Sequence, residues 1–434
     1  MPPKRDPRFN LGLISFSGLI EGVAAGTIFI SLPYSVSSLP KGELFSDWAE
    51  TSRIGFLISS FGLAMFFGQL LAGRMARNIA PRRSIAITGL AACAASTALL
   101  VLAASFPQLV LLRIIQGLSL ALVIPTTASL LTAFSGPSSR GSALGFFSSA
   151  KTLGLALGPL AGGILIGYFG KENLGAVYGL GAGVILLACV PFFFLPSPGL
   201  TVSPRGSLGK QTDTSQPNQS SRSSPLFNPG LALGAFVAAS CATTLPVFQN
   251  EFANRLGLDS FGIAVALSSM LLTRFLVSWP VGRAADRIDE HRLIYAGLLV
   301  LAGSTFFLGL AVSFPVLLLA RIIMGIGMAL FSVPALRIVS GDPESRNHTF
   351  RISLLTAAFS CGVGIGPLLT GLCADRLGFI TPFIFWSLFA LATAAFISSR
   401  REKMAEFTDD NTPGGKPAEP EIPKPVTAGQ EING

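Results

Sequence analysis

Charged side chains are rare in this chain, and a few stand where charge is expensive. Glu21 lies ten residues into the apolar run that begins at Leu11, and no other acidic residue sits as deep in such a run. Five bases have similar surroundings: Arg113, Lys151, Arg274, Arg321 and Arg337. An ionisable group among hydrocarbon neighbours commonly marks a route for ions or substrate. A carboxylate at that depth suits reversible protonation, with permanent pairing to a nearby base as the structural alternative. Arg113 and Arg321 occupy equivalent positions in two copies of one pattern, which predicts similar relay or structural work. Lys151 and Arg274 have no such counterparts and are expected to be unpaired, which favours contact with substrate. Arg337 is expected to snorkel from a helix end.

Enzyme chemistry finds no support. The sequence has no GxSxG, no P-loop, no HExxH and no paired acids. Cys93, Cys189, Cys241, Cys361 and Cys373 lack metal-ligand spacing, and His291 and His348 complete no zinc set. No cofactor or metal is expected, and no ATP-binding motif offers a source of energy.

The elements that position these charges are apolar helices. Of 434 residues 50% are hydrophobic and 12% charged, with a mean hydropathy of +0.62. Soluble domains carry about 25% charged residues, so a soluble enzyme, a disordered chain and a nucleic-acid-binding domain are excluded. About 20 apolar residues span a bilayer as a helix. Twelve runs qualify: 11–33, 53–73, 84–105, 107–134, 141–169, 173–195, 230–249, 259–282, 291–312, 315–339, 350–373 and 379–398. Lysine and arginine set their orientation. With the N-terminus cytoplasmic, 21 of the 31 bases fall inside and 5 outside, which predicts both termini in the cytoplasm and explains the net charge of +9.

The chain repeats itself. Phe106-Pro107 with Arg113-Ile-Ile recurs as Phe314-Pro315 with Arg321-Ile-Ile, and Gly154-x-x-x-Gly158-Pro159 recurs as Gly362-x-x-x-Gly366-Pro367. Both recurrences are 208 residues apart. Six spans per copy is an even number, so the copies face the same way in the membrane. The expected organisation is a six-helix half over 1–196, a Ser/Pro-rich cytoplasmic linker over 197–229, a second half over 230–400 and a disordered tail over 401–434.

These motifs resemble the major facilitator superfamily, over nearly all of residues 10–400. Gly154-Leu-Ala-Leu-Gly158-Pro159-Leu-Ala-Gly162-Gly163 matches the GxxxGPxxGG signature of its drug–proton antiporters. Arg113-Ile-Ile-Gln116-Gly117 matches RxxQG, and Leu32-Pro33 resembles the close of span 1 in that branch. The loop after span 2 departs from GxxxDRxGRR: it keeps Arg82 and Arg83 but has Arg77 in place of the aspartate. The loop after span 8 keeps the acid, as Asp286-Arg287.

The resemblance implies an all-α polytopic membrane protein of twelve helices in two six-helix pseudo-repeats, working by alternating access. It implies a proton-coupled exporter of a small molecule, with Glu21 trading the proton and the span 5 glycines forming the rocking contact between halves. Asp286 would carry what remains of a latch between halves. The excess of intramembrane bases favours an anionic substrate. An importer of an anionic metabolite or metal chelate is the alternative, and a non-transporting sensor or assembly factor a third reading. Expected surroundings are a lipid bilayer, in a bacterial cytoplasmic (inner) membrane, with the chain monomeric.

Overall fold

The computed structural model describes residues 7–75, 83–135, 139–195, 229–340 and 348–409. Regular structure among them is entirely helical. Inside hydrocarbon a backbone N–H or C=O has no water to bond, and a helix satisfies these groups within one segment. Among the described residues, twelve helical segments are long and apolar enough to span a membrane. The first half holds α1 (Pro7–Ser38), α2 (Glu50–Met75), α3 (Arg83–Leu99), α4 (Phe106–Phe134), α5 (Arg140–Phe169) and α6 (Leu174–Phe193). In the second, span 7 is broken into α7 (Pro229–Ala242), α8 (Thr244–Val247) and α9 (Gln249–Leu256). It continues with α10 (Ser260–Ala284), α11 (Glu290–Gly309), α12 (Phe314–Ser340), α13 (His348–Leu377) and α14 (Thr381–Asp409).

Two boundaries differ from expectation. The linker at 197–229 falls outside the described residues except for Pro229, which starts α7. The last helix runs to Asp409, past residue 401 where a disordered tail was expected. Residues 400–409 are rich in Arg, Glu, Lys, Met and Ala and contain neither Gly nor Pro, so nothing local stops the helix.

The break in span 7 has an identifiable cause. Pro246 has no N–H, so the carbonyl of Ala242, four residues earlier, loses its helical donor. Arg321 of α12, 1% exposed, supplies a replacement: its Nη1 donates to the Ala242 oxygen at 3.4 Å and its Nε to Ala266 of α10 at 3.3 Å. An unmet carbonyl in this interior would be costly, which gives a buried guanidinium a structural task.

The halves meet along two seams, α2 with α13 and α5 with α10. Span 5 therefore does touch the other half, but its glycine strip divides its faces. Cβ atoms on Gly154 and Gly158 would collide with α1 backbone, and one on Gly158 would lie 2.6 Å from the Gly26 Cα. Gly162 likewise faces Thr27 and Ile30 of α1. Gly163 alone of the motif faces α10, where a Cβ would lie 2.9 Å from the Ser260 carbonyl. The expectation that the whole strip forms the contact between halves is thus corrected: three of its four glycines bind α5 to α1 within the first half. The second half repeats the division. Gly362 and Gly366 press on α7, whereas Gly364 and the Pro367 carbonyl meet α2.

A further cluster joins the halves at the end of the bundle where α1 ends and α2 begins. Gln249 Nε2 donates to the Ile30 carbonyl at 2.8 Å. Asn250 Nδ2 reaches Pro33 O (3.1 Å), Ser37 Oγ (2.9 Å) and Glu50 Oε1 (2.6 Å), while Ser37 donates to the same Glu50 oxygen at 2.6 Å. The broken geometry of span 7 turns α9 toward α1 and α2 and makes these contacts possible.

Two outcomes test this packing. Gly158→Leu overfills the α1–α5 contact, at a typical cost of about 1–3 kcal/mol. A lower Tm in detergent is expected, whereas the same change at Gly183, which has open space around it, leaves Tm near the original. Asn250→Leu removes donors worth about 0.5–1.5 kcal/mol per hydrogen bond and leaves Glu50 with Ser37 as its donor. Spin labels at the exposed positions Ser38 and Asn254 are expected to show a longer, broader distance distribution in this variant.

Candidate functional site

The tight α1–α5 contact builds the site. A Cβ on Gly22 would lie 2.6 Å from the Lys151 carbonyl, so the two backbones nearly touch beside Glu21. The side chains that flank this contact must meet, and Glu21 Oε2 lies 2.6 Å from Lys151 Nζ. At 1.5 Å of rise per residue, both groups are roughly 16–21 Å from the N-terminal ends of their helices, near mid-bundle. The Glu21 side chain is 7% exposed and that of Lys151 23%. Their exposed edges line a small pocket whose other walls include Leu90, Val123, Ile124, Phe147 and Phe192. One ion pair in a small pocket walled by these apolar side chains and by Ser17 and Thr127 is the outcome.

This pairing corrects the expectation that Lys151 is unpaired. The sequence-level alternative of a paired Glu21 describes the observed state, and the partner is the nearest base on the adjoining helix. Arg274 is half-buried on α10, beside Gly325 of α12, and does not line this pocket. No acid pairs with it among the described residues.

Arg113 and Arg321 share a repeat position but not a set of partners. Arg113 lies over the Phe61 ring at 4.2 Å and donates to Gln116 Oε1 at 2.7 Å. Gln116 in turn donates to Thr97 at 2.9 Å, so the RxxQG residues tie α4 to α2 and α3. Arg321 instead bonds the carbonyls around the span 7 break. The physical reason for the difference is Pro246, which leaves a bare carbonyl in the second half.

The loop residues also stay within their halves. Asp286 Oδ1 accepts from Arg337 Nη1 at 2.7 Å, and Glu290 receives Arg337 Nε at 3.3 Å. Asp286 therefore ties α10 to α12 rather than latching the halves, and Arg337 is bridged to two carboxylates rather than snorkelling alone. Arg83 donates to the carbonyls of Phe193 and Leu195 at the end of α6, again inside one half. Arg287 is exposed, and Arg77 and Arg82 lie outside the described residues.

Sequence reasoning overlooked Gln249, Asn250, Ser37 and Glu50. The polar run Gln249-Asn250-Glu251, which begins three residues after Pro246, was an available signal, since polar residues closing an apolar run need partners.

Known proteins agree with this architecture. The family model of the Major Facilitator Superfamily matches residues 14–253 and 230–431. Multidrug resistance protein 2 of Bacillus subtilis is 22% identical over 77% of this chain and 82% of its own length. The chloramphenicol resistance protein of Streptomyces lividans is 28% identical, over 78% and 84%. Among solved structures, a bacterial homologue of the human lysosomal transporter Spinster, inward-facing and occupied, superposes with a TM-score of 0.69. It is 18% identical, and the match covers 93% of this chain and 98% of that one. The human organic anion transporter MFSD10 gives 0.65 at 20% identity, covering 92% and 100%. With twelve apolar spans, two repeated halves and a family match along its length, the chain belongs to the Major Facilitator Superfamily and is a multi-pass membrane transporter.

Proposed function

We propose that this transporter is a proton-coupled exporter working by alternating access, with the Glu21–Lys151 pair as its coupling element. The observation that carries the reading is the pair itself, 2.6 Å apart near mid-bundle and lining a pocket. Protonating Glu21 would leave Lys151 as an uncompensated charge among apolar walls. Breaking a buried pair in this way costs several kcal/mol, enough to bias one arrangement of the helices over another. Export is supported by the names of the resistance proteins among its relatives. The excess of bases on one side of the spans supports both termini in the cytoplasm, and the bacterial relatives support the cytoplasmic membrane. The cluster around Asn250 and Glu50 would then close the external end. The chain acts as a monomer in this reading, since each copy encloses its own pocket.

A second reading, uptake of an anionic solute, is favoured by one specific observation. The more accessible member of the pair is the ammonium, and no acid pairs with Arg113, Arg274 or Arg321 among the described residues.

Proteoliposomes with an imposed pH gradient test the proposal. Glu21→Gln is expected to abolish gradient-driven accumulation while substrate exchange without a gradient persists. Gradient-driven transport at the normal rate in that variant removes Glu21 from the mechanism. The sign of the gradient that drives accumulation separates export from uptake.

A further inference from the structure

We propose that Trp279 and Arg283, at the end of α10, form a seat for the phosphate of an anionic phospholipid. The site is independent of the Glu21–Lys151 pair and of the direction of transport.

Helix geometry places these residues in a bilayer. α10 runs 25 residues, from Ser260 to Ala284. At 1.5 Å per residue that is about 37 Å, against a hydrocarbon core of about 30 Å, so each end projects about 4 Å beyond the core. Trp279 then lies just inside the hydrocarbon boundary, and Arg283, one turn later, just outside it. An indole is favoured at that depth. Trp279 is 66% exposed, and Leu276, three residues earlier and 61% exposed, continues the apolar side toward the acyl chains.

The guanidinium is held in place by the ring. Its carbon lies over the Trp279 ring, 3.6 Å from the centroid. Stacking of this kind joins cation–π attraction to contact between planar groups. It covers one face of the guanidinium and leaves the N–H groups at its edge, which have no ion pair or side-chain hydrogen bond among the described residues. A planar fork fixed in this way matches two oxygens of a phosphate.

The surroundings leave the charge uncompensated. Asp286 and Glu290 both receive Arg337, and Asp289 accepts from the His291 N–H at the start of α11. Arg287 is a second exposed base, one turn beyond Arg283 and also without an acid among the described residues. Two such bases at a membrane surface attract a lipid of net negative charge. A zwitterionic lipid is less favoured, because it brings a cation of its own to the same place. The indole inside the hydrocarbon boundary suits an occupant with acyl chains rather than a soluble anion.

Quenching of tryptophan fluorescence by brominated lipids tests the site. The full chain is reconstituted in phosphatidylcholine vesicles containing a minor fraction of brominated phosphatidylglycerol or of brominated phosphatidylcholine. The Trp279 signal is the difference between each protein and its Trp279→Phe form, which cancels Trp48 and Trp386. The brominated phosphatidylglycerol is expected to quench this signal at about fivefold lower membrane fraction than its zwitterionic counterpart. Arg283→Gln is expected to abolish the difference between the lipids. Arg292→Gln, which removes an exposed base from α11, is expected to leave it unchanged. Both changes are on exposed side chains, so neither disturbs the core. Equal quenching by the two lipids in the unaltered protein overturns the inference, as does a preference that survives Arg283→Gln. An equal loss in Arg283→Gln and Arg292→Gln also overturns it, since the preference would then belong to the basic surface as a whole.

Discussion

The close approach of α1 and α5 is the constraint on which the rest of this molecule hangs. Where Gly22 and Gly26 face Gly154 and Gly158, the helix backbones pack without intervening side chains. Between helices in a bilayer there is no hydrophobic driving force, so association relies on van der Waals contact and on polar groups that find each other. Thr27 contributes one such bond, donating to the Gly158 carbonyl at 3.0 Å. With the helices held this near, Glu21 and Lys151 are within reach without extending either chain fully. Any wider spacing would leave two charges to be satisfied separately in a medium that penalises both.

Much of the fold was legible in the sequence because its causes are local. A span announces itself by length and hydropathy, and the twelve runs correspond to the twelve observed spans. The 208-residue recurrence reported the pseudo-symmetry that Gly154–Gly158 and Gly362–Gly366 display in space. What escaped was relational. Nothing in the spacing of Lys151 states which helix lies opposite, so its pairing with Glu21 was visible only as one alternative. The same holds for Asp286, whose partner Arg337 is 51 positions away in the same half. The division of the span 5 motif between two neighbours was hidden for a related reason, since a motif is a string and a helix has faces.

Arg321 illustrates how a repeat can diverge in use while keeping its letter. Its twin Arg113 stacks on Phe61 and anchors a polar chain through Gln116 and Thr97. In the second half Pro246 removes a backbone donor, and the arginine there fills the gap. The break it steadies lets α9 carry Gln249 and Asn250 across to the other half. A cation that looks like a substrate contact by depth alone is thus tied up in backbone repair.

Gly162 and Gly163 are neighbours in the chain yet serve different partners, one α1 and the other α10. Consecutive residues on a helix are turned by about 100°, so this one step separates a contact within one half from a contact between halves. The arrangement makes the interior of α5 intolerant of changes in length. A single residue inserted between Lys151 and Gly163 would swing every later position around the axis, offering bulk where backbone contact is needed. Substitutions can accumulate on the lipid side of this helix, but its residue count is locked, and variation in length must be confined to the loops at either end.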